Sequence, residues 1–215
     1  MSSSPHQNPS FFEKAVSSLR REGPRVFAQK AAAKCGLRRL ILLECDLAQM
    51  PPSTAPSLPL EFRLLRSSEV DDYLASEPEM DRAQTEKELA TGGVCVLALS
   101  QGQIAGSMWV ARDRMSLSWG HVRRDLARDE AYLFGAHTAT AFRRRGINNA
   151  LSHHLTNWLG ETGVRRLYRM VFPWNLPALA AHRKAGFHAC GQFVSIGIGC
   201  FRRGLFIPMR GGQRA

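Results

Sequence analysis

Seven consecutive residues, Phe142-Arg143-Arg144-Arg145-Gly146-Ile147-Asn148, set three fixed positive charges beside a glycine. An apolar, strand-like segment, Ala131 to Thr138, precedes them. After them Ile147, Ala150, Leu151, Leu155, Trp158 and Leu159 recur at the helical period. A glycine between a strand and a helix lets the backbone pack close to a ligand. The unpaired amides of a helix start attract anions, and neighbouring arginines add charge. Strand, basic glycine turn, helix is thus a layout suited to cradling a phosphate or pyrophosphate. A second constellation follows at Asn175-Leu-Pro-Ala178-Leu-Ala-Ala-His182-Arg183-Lys184-Ala185-Gly186-Phe187. Asn175 reads as a helix N-cap, Pro177 fits the first turn, Lys184 the last turn and Gly186 the stop. On that helix His182 shares a face with Ala178 and Leu179, and an imidazole is the side chain best suited to moving a proton near neutral pH.

These residues need a scaffold, and the pattern along the chain supplies one. Residues 11–36 read as helix, interrupted near Gly23-Pro24; the second piece, Pro24 to Cys35, carries Lys30 and Lys34 one turn apart and has a weak apolar face. Arg39 to Leu47 reads as a short strand, and residues 50–59 have the composition of a linker. A main domain is expected from 59 to 210, after a basic N-terminal extension over 1–58. Glu61 to Arg66 alternates as a strand, Ser68 caps a helix carrying Val70, Tyr73 and Leu74, and another helix spans about 81–90. Val94 to Ser100 and Gln103 to Ala111 are apolar strands joined across Gln101-Gly102, the clearest hairpin signal in the chain. Arg112 to Asp129 is polar and poorly periodic, and reads as loop. Then come the strand 131–138, the helix 147–160, a strand at 166–172, a helix at about 176–185, and strands near 192–198 and 202–208. The order β-α-α-β-β-β-α-β-α-β-β implies an α/β (α+β) fold, a mixed sheet with helices on both faces.

The turn and the Asn175 helix together resemble the GNAT superfamily of acyl-CoA-dependent N-acyltransferases. That family carries an Arg/Gln-x-x-Gly-x-Gly/Ala turn, here Arg143-x-x-Gly146-x-Asn148, and an Asn-x-x-Ala…Tyr-x-Lys-x-Gly-Phe helix, here Asn175, Ala178, His182, Lys184, Gly186 and Phe187. The element order is also the family's, over about residues 60–208. The resemblance implies a mixed, mostly antiparallel sheet and acetyl-CoA, or a related acyl-CoA, as co-substrate without a metal. It implies that backbone groups near Ala136 and Thr138 hold pantetheine and the thioester carbonyl. The amides of Arg143, Arg144, Arg145, Gly146, Ile147 and Asn148 would hold the pyrophosphate, with Asn175 facing pantetheine. Asn148 replaces a small residue, and His182 stands where the family usually has tyrosine, near the leaving sulfur; a protonated imidazole there would donate to the sulfur. For the general base the candidates are His137, expected on the strand face of Leu133 and Gly135, and Glu130 through a water. Gly135 leaves empty a position where some relatives place a carboxylate. His153 and His154, on the cradle helix, are expected to face solvent and core.

The formal charge is +11, and residues 1–40 hold eight basic residues against two acidic ones, a net +6 from under a fifth of the chain. Such a bias suits an anionic partner: nucleic acid, an acidic membrane surface or a polyanionic cofactor. No apolar run approaches the roughly 20 residues needed to span a bilayer, and the N-terminus lacks a signal-peptide core. Five widely spaced cysteines show no metal-ligand pattern. A cytoplasmic protein, peripheral to a membrane at most, is expected. The functional expectation is N-acyl transfer to an amine of a small molecule or protein. The alternative is a CoA- or acyl-carrier-binding module docked by its basic arm to a membrane or RNA. The acceptor, the acyl length and a homodimeric state stay open.

Overall fold

The computed structural model describes residues 23–52, 56–77, 80–117, 122–198 and 201–209; the first part of the expected basic helix, before Gly23, lies outside them. Helix α1 (Pro24–Lys34) has its proline at the start and buries none of its side chains. Strand β1 (Leu37–Asp46) follows, then β2 (Glu61–Leu64), the short helices α2 (Val70–Ser76) and α3 (Arg82–Ala90), and the pair β3 (Val94–Ser100) and β4 (Gln103–Ala111). Gln101 and Gly102 between those two strands both take positive φ, 51° and 76°, the backbone twist that closes a tight hairpin. Next come β5 (Arg114–Leu117), β6 (Val122–Asp125), β7 (Glu130–Thr138), α4 (Ile147–Glu161), β8 (Arg166–Val171), α5 (Leu176–Lys184), β9 (His188–Ile198) and β10 (Phe201–Pro208).

Among the described residues, eight strands form one sheet in the order β10-β9-β1-β8-β7-β4-β3-β2, and β5 pairs with β6 in a second, two-stranded one. Two features depart from the sequence expectation. The stretch 112–129, expected as loop, contains the β5–β6 hairpin. It is polar because one side meets water, while Met115 is 1% exposed and plugs a cluster with Leu40, Leu42, Tyr132, Tyr168 and Phe193. The strand at 37–46, expected within an extension, lies inside the sheet, antiparallel to both β8 and β9. The sheet therefore runs across the expected boundary at residue 58. Strand pairing over such a separation leaves no local trace in composition.

Every other pair in the sheet is antiparallel, but β7 and β8 run parallel, and their ladder holds only from Glu130↔Arg166 to Tyr132↔Tyr168. Beyond Tyr132 the strands part, while β7 stays paired to β4 as far as Thr138. Among the described residues, one edge of β7 is thus left without a strand from Leu133 onward. On one face of the sheet, α4 buries Ile147, Leu151, Leu155 and Leu159 against Met108, Val110, Ala131, Leu133 and Leu167. At roughly 1.5–3 kcal/mol for each fully buried large side chain, that stripe holds the N-terminus of α4 at the mouth of the gap. On the other face Tyr73 of α2 packs with Leu97, Leu99 and Trp109. Among the described residues, no helix is long and apolar enough to cross a membrane.

Candidate active site

The turn between β7 and α4 has the backbone that a cradle requires. Gly146, the N-cap of α4, is left-handed at φ +80°, and Arg144 takes φ +64°, a conformation costing a non-glycine residue about 1 kcal/mol. Left-handed residues alternating along a turn bring successive amides to one side, an anion-binding concavity. Among the described residues, the amides of Arg144 to Asn149 have no hydrogen-bond partner. Arg143 differs: its amide donates to Thr140 O at 3.4 Å and its Nε to Thr138 O at 3.4 Å, so the open amides begin one residue later than the sequence implies. The second half of the linker lies against the turn. Ser57 donates its amide and its hydroxyl to Arg145 O, both at 3.3 Å, which uses a carbonyl and leaves the amides free.

The amide of Ala139 donates to Ala105 O at 3.0 Å, toward β4. By the alternation of a strand, the peptide group of Thr138 turns the other way, toward the gap beside β8, while Ala136 lies in the bulge, where that alternation does not carry. Gly135 between them and the start of β7 is left-handed at φ +56°, and a Cβ there would stand 2.8 Å from Trp109 Cδ1. No carboxylate-bearing residue fits that position. The register with β4 shifts here, between Ser107 and Trp109. That bulge changes the phase of the strand, as an extra residue must, and corrects the expected facing of His137: Leu133 packs on the α4 side, whereas His137 lies on the opposite face, beside Glu77.

Glu77 was not legible as a site residue. It ends α2, is 2% exposed, and sits in a polar group formed by four other residues. Tyr73 donates to its Oε2 at 3.2 Å, Ser107 Oγ donates to its Oε1, and Trp109 Nε1 donates to Tyr73 Oη at 3.0 Å. His137 Nδ1 stands 3.9 Å from Glu77 Oε2 and is 24% exposed. Burial pushes the Glu77 carboxyl above the usual range, against the opposing pull of Ser107, His137 and Tyr73. A partly exposed imidazole thus stands beside an enclosed carboxyl that is itself held by donors, a placement that a general-base histidine would require. Glu130, by contrast, accepts from Tyr168 Oη at 2.9 Å and the Ala127 amide at 3.1 Å, and pairs with Arg124. It lies six residues before Ala136, about 20 Å along the strand, and ties β6, β7 and β8 together rather than meeting the gap.

On the α4–α5 side a cavity of about 340 Å³ is lined by Asn148, Ser152, Arg169, His182 and Phe187, and also by Met50 to Pro52. His182 meets the Phe187 ring edge-on at 5.6 Å. Burial, together with the nearby charge of Arg169, pulls its pKa down to about 4, a shift that favours the neutral imidazole over the protonated donor expected there. Asn175 caps α5, its Oδ1 accepting from the Ala178 amide at 3.3 Å. His153 lines the cavity mouth, and His154 stacks on Phe62 at 4.3 Å.

Sequence comparison decides what this arrangement belongs to: the profile of the acetyltransferase (GNAT) family matches residues 62–187. The chain is a member of the GNAT acetyltransferase family. The match spans the parted strands, the turn and helices α4 and α5. Solved structures similar to this GNAT chain include a functionally unknown conserved protein from Staphylococcus epidermidis (11% identity, TM-score 0.52, covering 79% of this chain and 65% of that one). Another is the GCN5-related glucosamine N-acetyltransferase region of a fungal multi-domain GH3 β-N-acetylglucosaminidase (16%, 0.54, 82% and 22%). A third is a GNAT-family protein from Novosphingobium aromaticivorans (18%, 0.51, 80% and 63%). The chain spans less than two thirds of each of these proteins, and at such identities the likeness is one of fold. A search among curated proteins found no match. Within the GNAT frame the side chains missed by the sequence reading are Glu77, Ser107, Tyr73 and Arg169. Arg169 alone left a signal, a cation in the apolar alternation of Leu167-x-Arg169-x-Val171.

Proposed function

We propose that this GNAT protein transfers an acetyl or other short acyl group from acyl-CoA to a primary amine by direct attack on the thioester. The observation that carries this is the run of unpartnered amides at Arg144 to Asn149 opening beside the free edge of β7. The turn supplies donors for a pyrophosphate, and the peptide groups of Ala136 and Thr138 supply partners for an extended amide-bearing arm and for the thioester carbonyl. The side-chain NH2 of Asn175 borders the same arm. A backbone amide aimed at the developing oxyanion contributes roughly 3 kcal/mol, so much of the rate comes from main-chain geometry. His137 takes the proton of the attacking amine, with Glu77 positioning it. The base then works from the face of the sheet opposite the cavity, so amine and acyl donor approach from opposite sides of the gap.

The test is calorimetric titration with CoA, followed by assay of CoA release from acetyl-CoA across a panel of amines. Micromolar CoA binding and amine-dependent release are expected. Absence of CoA binding refutes the assignment; binding without turnover on any amine would make the chain a CoA-binding module instead.

A further inference from the structure

Arg169 interrupts the inward-facing alternation of β8, where Leu167 and Val171 on either side are buried and apolar. It is 5% exposed, and among the described residues it has no carboxylate partner. Its Nη2 donates to Ser152 Oγ at 2.7 Å and contacts Met108 Sδ at 3.3 Å, while the guanidinium stands 5.4 Å from the Phe187 ring centroid. Its Nε is buried without a partner. A buried cation with no counter-ion costs several kcal/mol, and burial lowers its pKa to about 10. Position gives that cost a use. Arg169 is the first residue of β8 past the last rung to β7, at Tyr132↔Tyr168, so it occupies the apex of the gap. It also shares with His182 the cavity that leads from the Asn148–Asn149 end of the turn.

We propose, building on the acyl-CoA reading above, that Arg169 is the group that receives the negative charge on sulfur when the thioester breaks, so that CoA leaves as an ion-paired thiolate. The amine lone pair forms the C–N bond and pushes the carbonyl electrons onto oxygen. Their return breaks the C–S bond, and that electron pair stays on sulfur beside the guanidinium. The amine proton goes to His137 on the other face, and the thiolate is protonated by water after release. No helix acid is needed. The neutral His182 has no proton to give without becoming imidazolate, and Cys45, whose thiol burial holds at about 11, stays protonated. Among the described residues, Ser152, His153 and Lys184 share this cavity with Arg169, and Tyr132 on β7 couples to it electrostatically across the sheet; none is an anion at neutral pH.

The experiment follows the thiol of CoA bound to the full-length protein by its ultraviolet thiolate absorbance, with the desulfo-CoA complex as blank to cancel the protein's own cysteines and tyrosines. A free thiol titrates near 8.5, and an opposite charge within reach lowers that by roughly 1–3, so bound CoA is expected to titrate near 7. Arg169→Lys should keep part of that depression and Arg169→Met should lose it, with desulfo-CoA affinity changed less than about threefold in both, since desulfo-CoA carries no sulfur charge. A bound thiol that titrates like free CoA in the unmodified protein overturns the proposal whether or not the variants fold. So does an Arg169→Met complex that titrates like the unmodified one. A protein that binds neither CoA nor desulfo-CoA fails earlier, at the acyl-CoA reading itself, and takes this proposal with it.

Discussion

Replacing Glu77 by glutamine separates catalysis from stability at one buried position. The substitution keeps the volume and one acceptor for Ser107, but it removes the charge behind His137 and turns an NH2 toward Tyr73 Oη, which already accepts from Trp109 Nε1 at 3.0 Å. A positioned general base contributes about 10²–10⁴-fold. The 3.9 Å between His137 and Glu77 is longer than a hydrogen bond, which favours the lower end: a fall in kcat of about 10²-fold, or about 2.7 kcal/mol. Stability should move the other way or not at all. Two bonds to a charged acceptor become neutral, each weaker by about 1 kcal/mol, while the cost of burying an ionised carboxylate, several kcal/mol, disappears. The folded pKa of Glu77 lies above its unfolded value. Its stabilising contribution is therefore complete below the unfolded carboxyl range, near 4.3, and is lost as pH rises through the folded value. The glutamine variant escapes that loss, so its stability relative to the parent should grow from about pH 5 upward. Steady-state kinetics with saturating acetyl-CoA, thermal unfolding at several pH values, and the series Glu77→Gln, His137→Gln and the double variant make the assay. Residues acting as a unit are non-additive, so the double variant should be no worse than the poorer single one. Near-parental kcat in Glu77→Gln, or losses that multiply, would refute the pairing.

Other substitutions test separate parts of the site. Gly146→Asp should fold, since the space about that Cβ holds only Pro56, nearest at 3.4 Å, yet should weaken CoA binding by at least about 100-fold through a carboxylate set against pyrophosphate. Gly146→Ala, with the backbone strain but no charge, should lose less than about tenfold, as calorimetry would show. His182→Phe should lower turnover only modestly and leave the neutral-pH profile unchanged, because the imidazole is already neutral there. His182 also makes the protein acid-sensitive. Its depressed pKa means that the native state resists protonation, so stability present above about 6.5 is lost as pH falls toward about 4. His182→Phe should flatten that loss, seen as a smaller fall in Tm between those pH values. Finally, a chain beginning at residue 59 should lack cooperative unfolding. It exposes the sheet edges of β8 and β9 and gives up the burial of Leu40, Leu42, Leu43 and Cys45, together roughly 6–10 kcal/mol against a typical total of about 5–15. A sharp thermal transition in that fragment would show β1 to be dispensable.

The elements that carry the cradle were legible because each is fixed locally. The apolar period of Ile147 to Leu159 fixes a helix, the Asn175 cap and Gly186 stop fix another, and Gln101-Gly102 fixes a hairpin. The backbone of the turn at 143–148 was legible too, since a glycine before a helical apolar period marks the start of α4 locally. Arg143 shows the limit of that reading: whether a given amide points out or in depends on one dihedral.

Tertiary structure decided what those elements face. A single bulge at Gly135 moved His137 to the other side of the sheet, and no sequence period reports a change of phase. Glu77 reaches His137 only because α2 packs across β4, bringing residues 77, 107 and 137 together. Burial, which no residue type announces, favoured the neutral form of His182 and, among the described residues, left Arg169 a cation without a counter-ion. Strand β1 entered the sheet through pairing with β8 and β9. The sequence determines local dihedral preference and patterning; the pKa values, the facing of side chains and the sheet order depend on distant groups brought together in space.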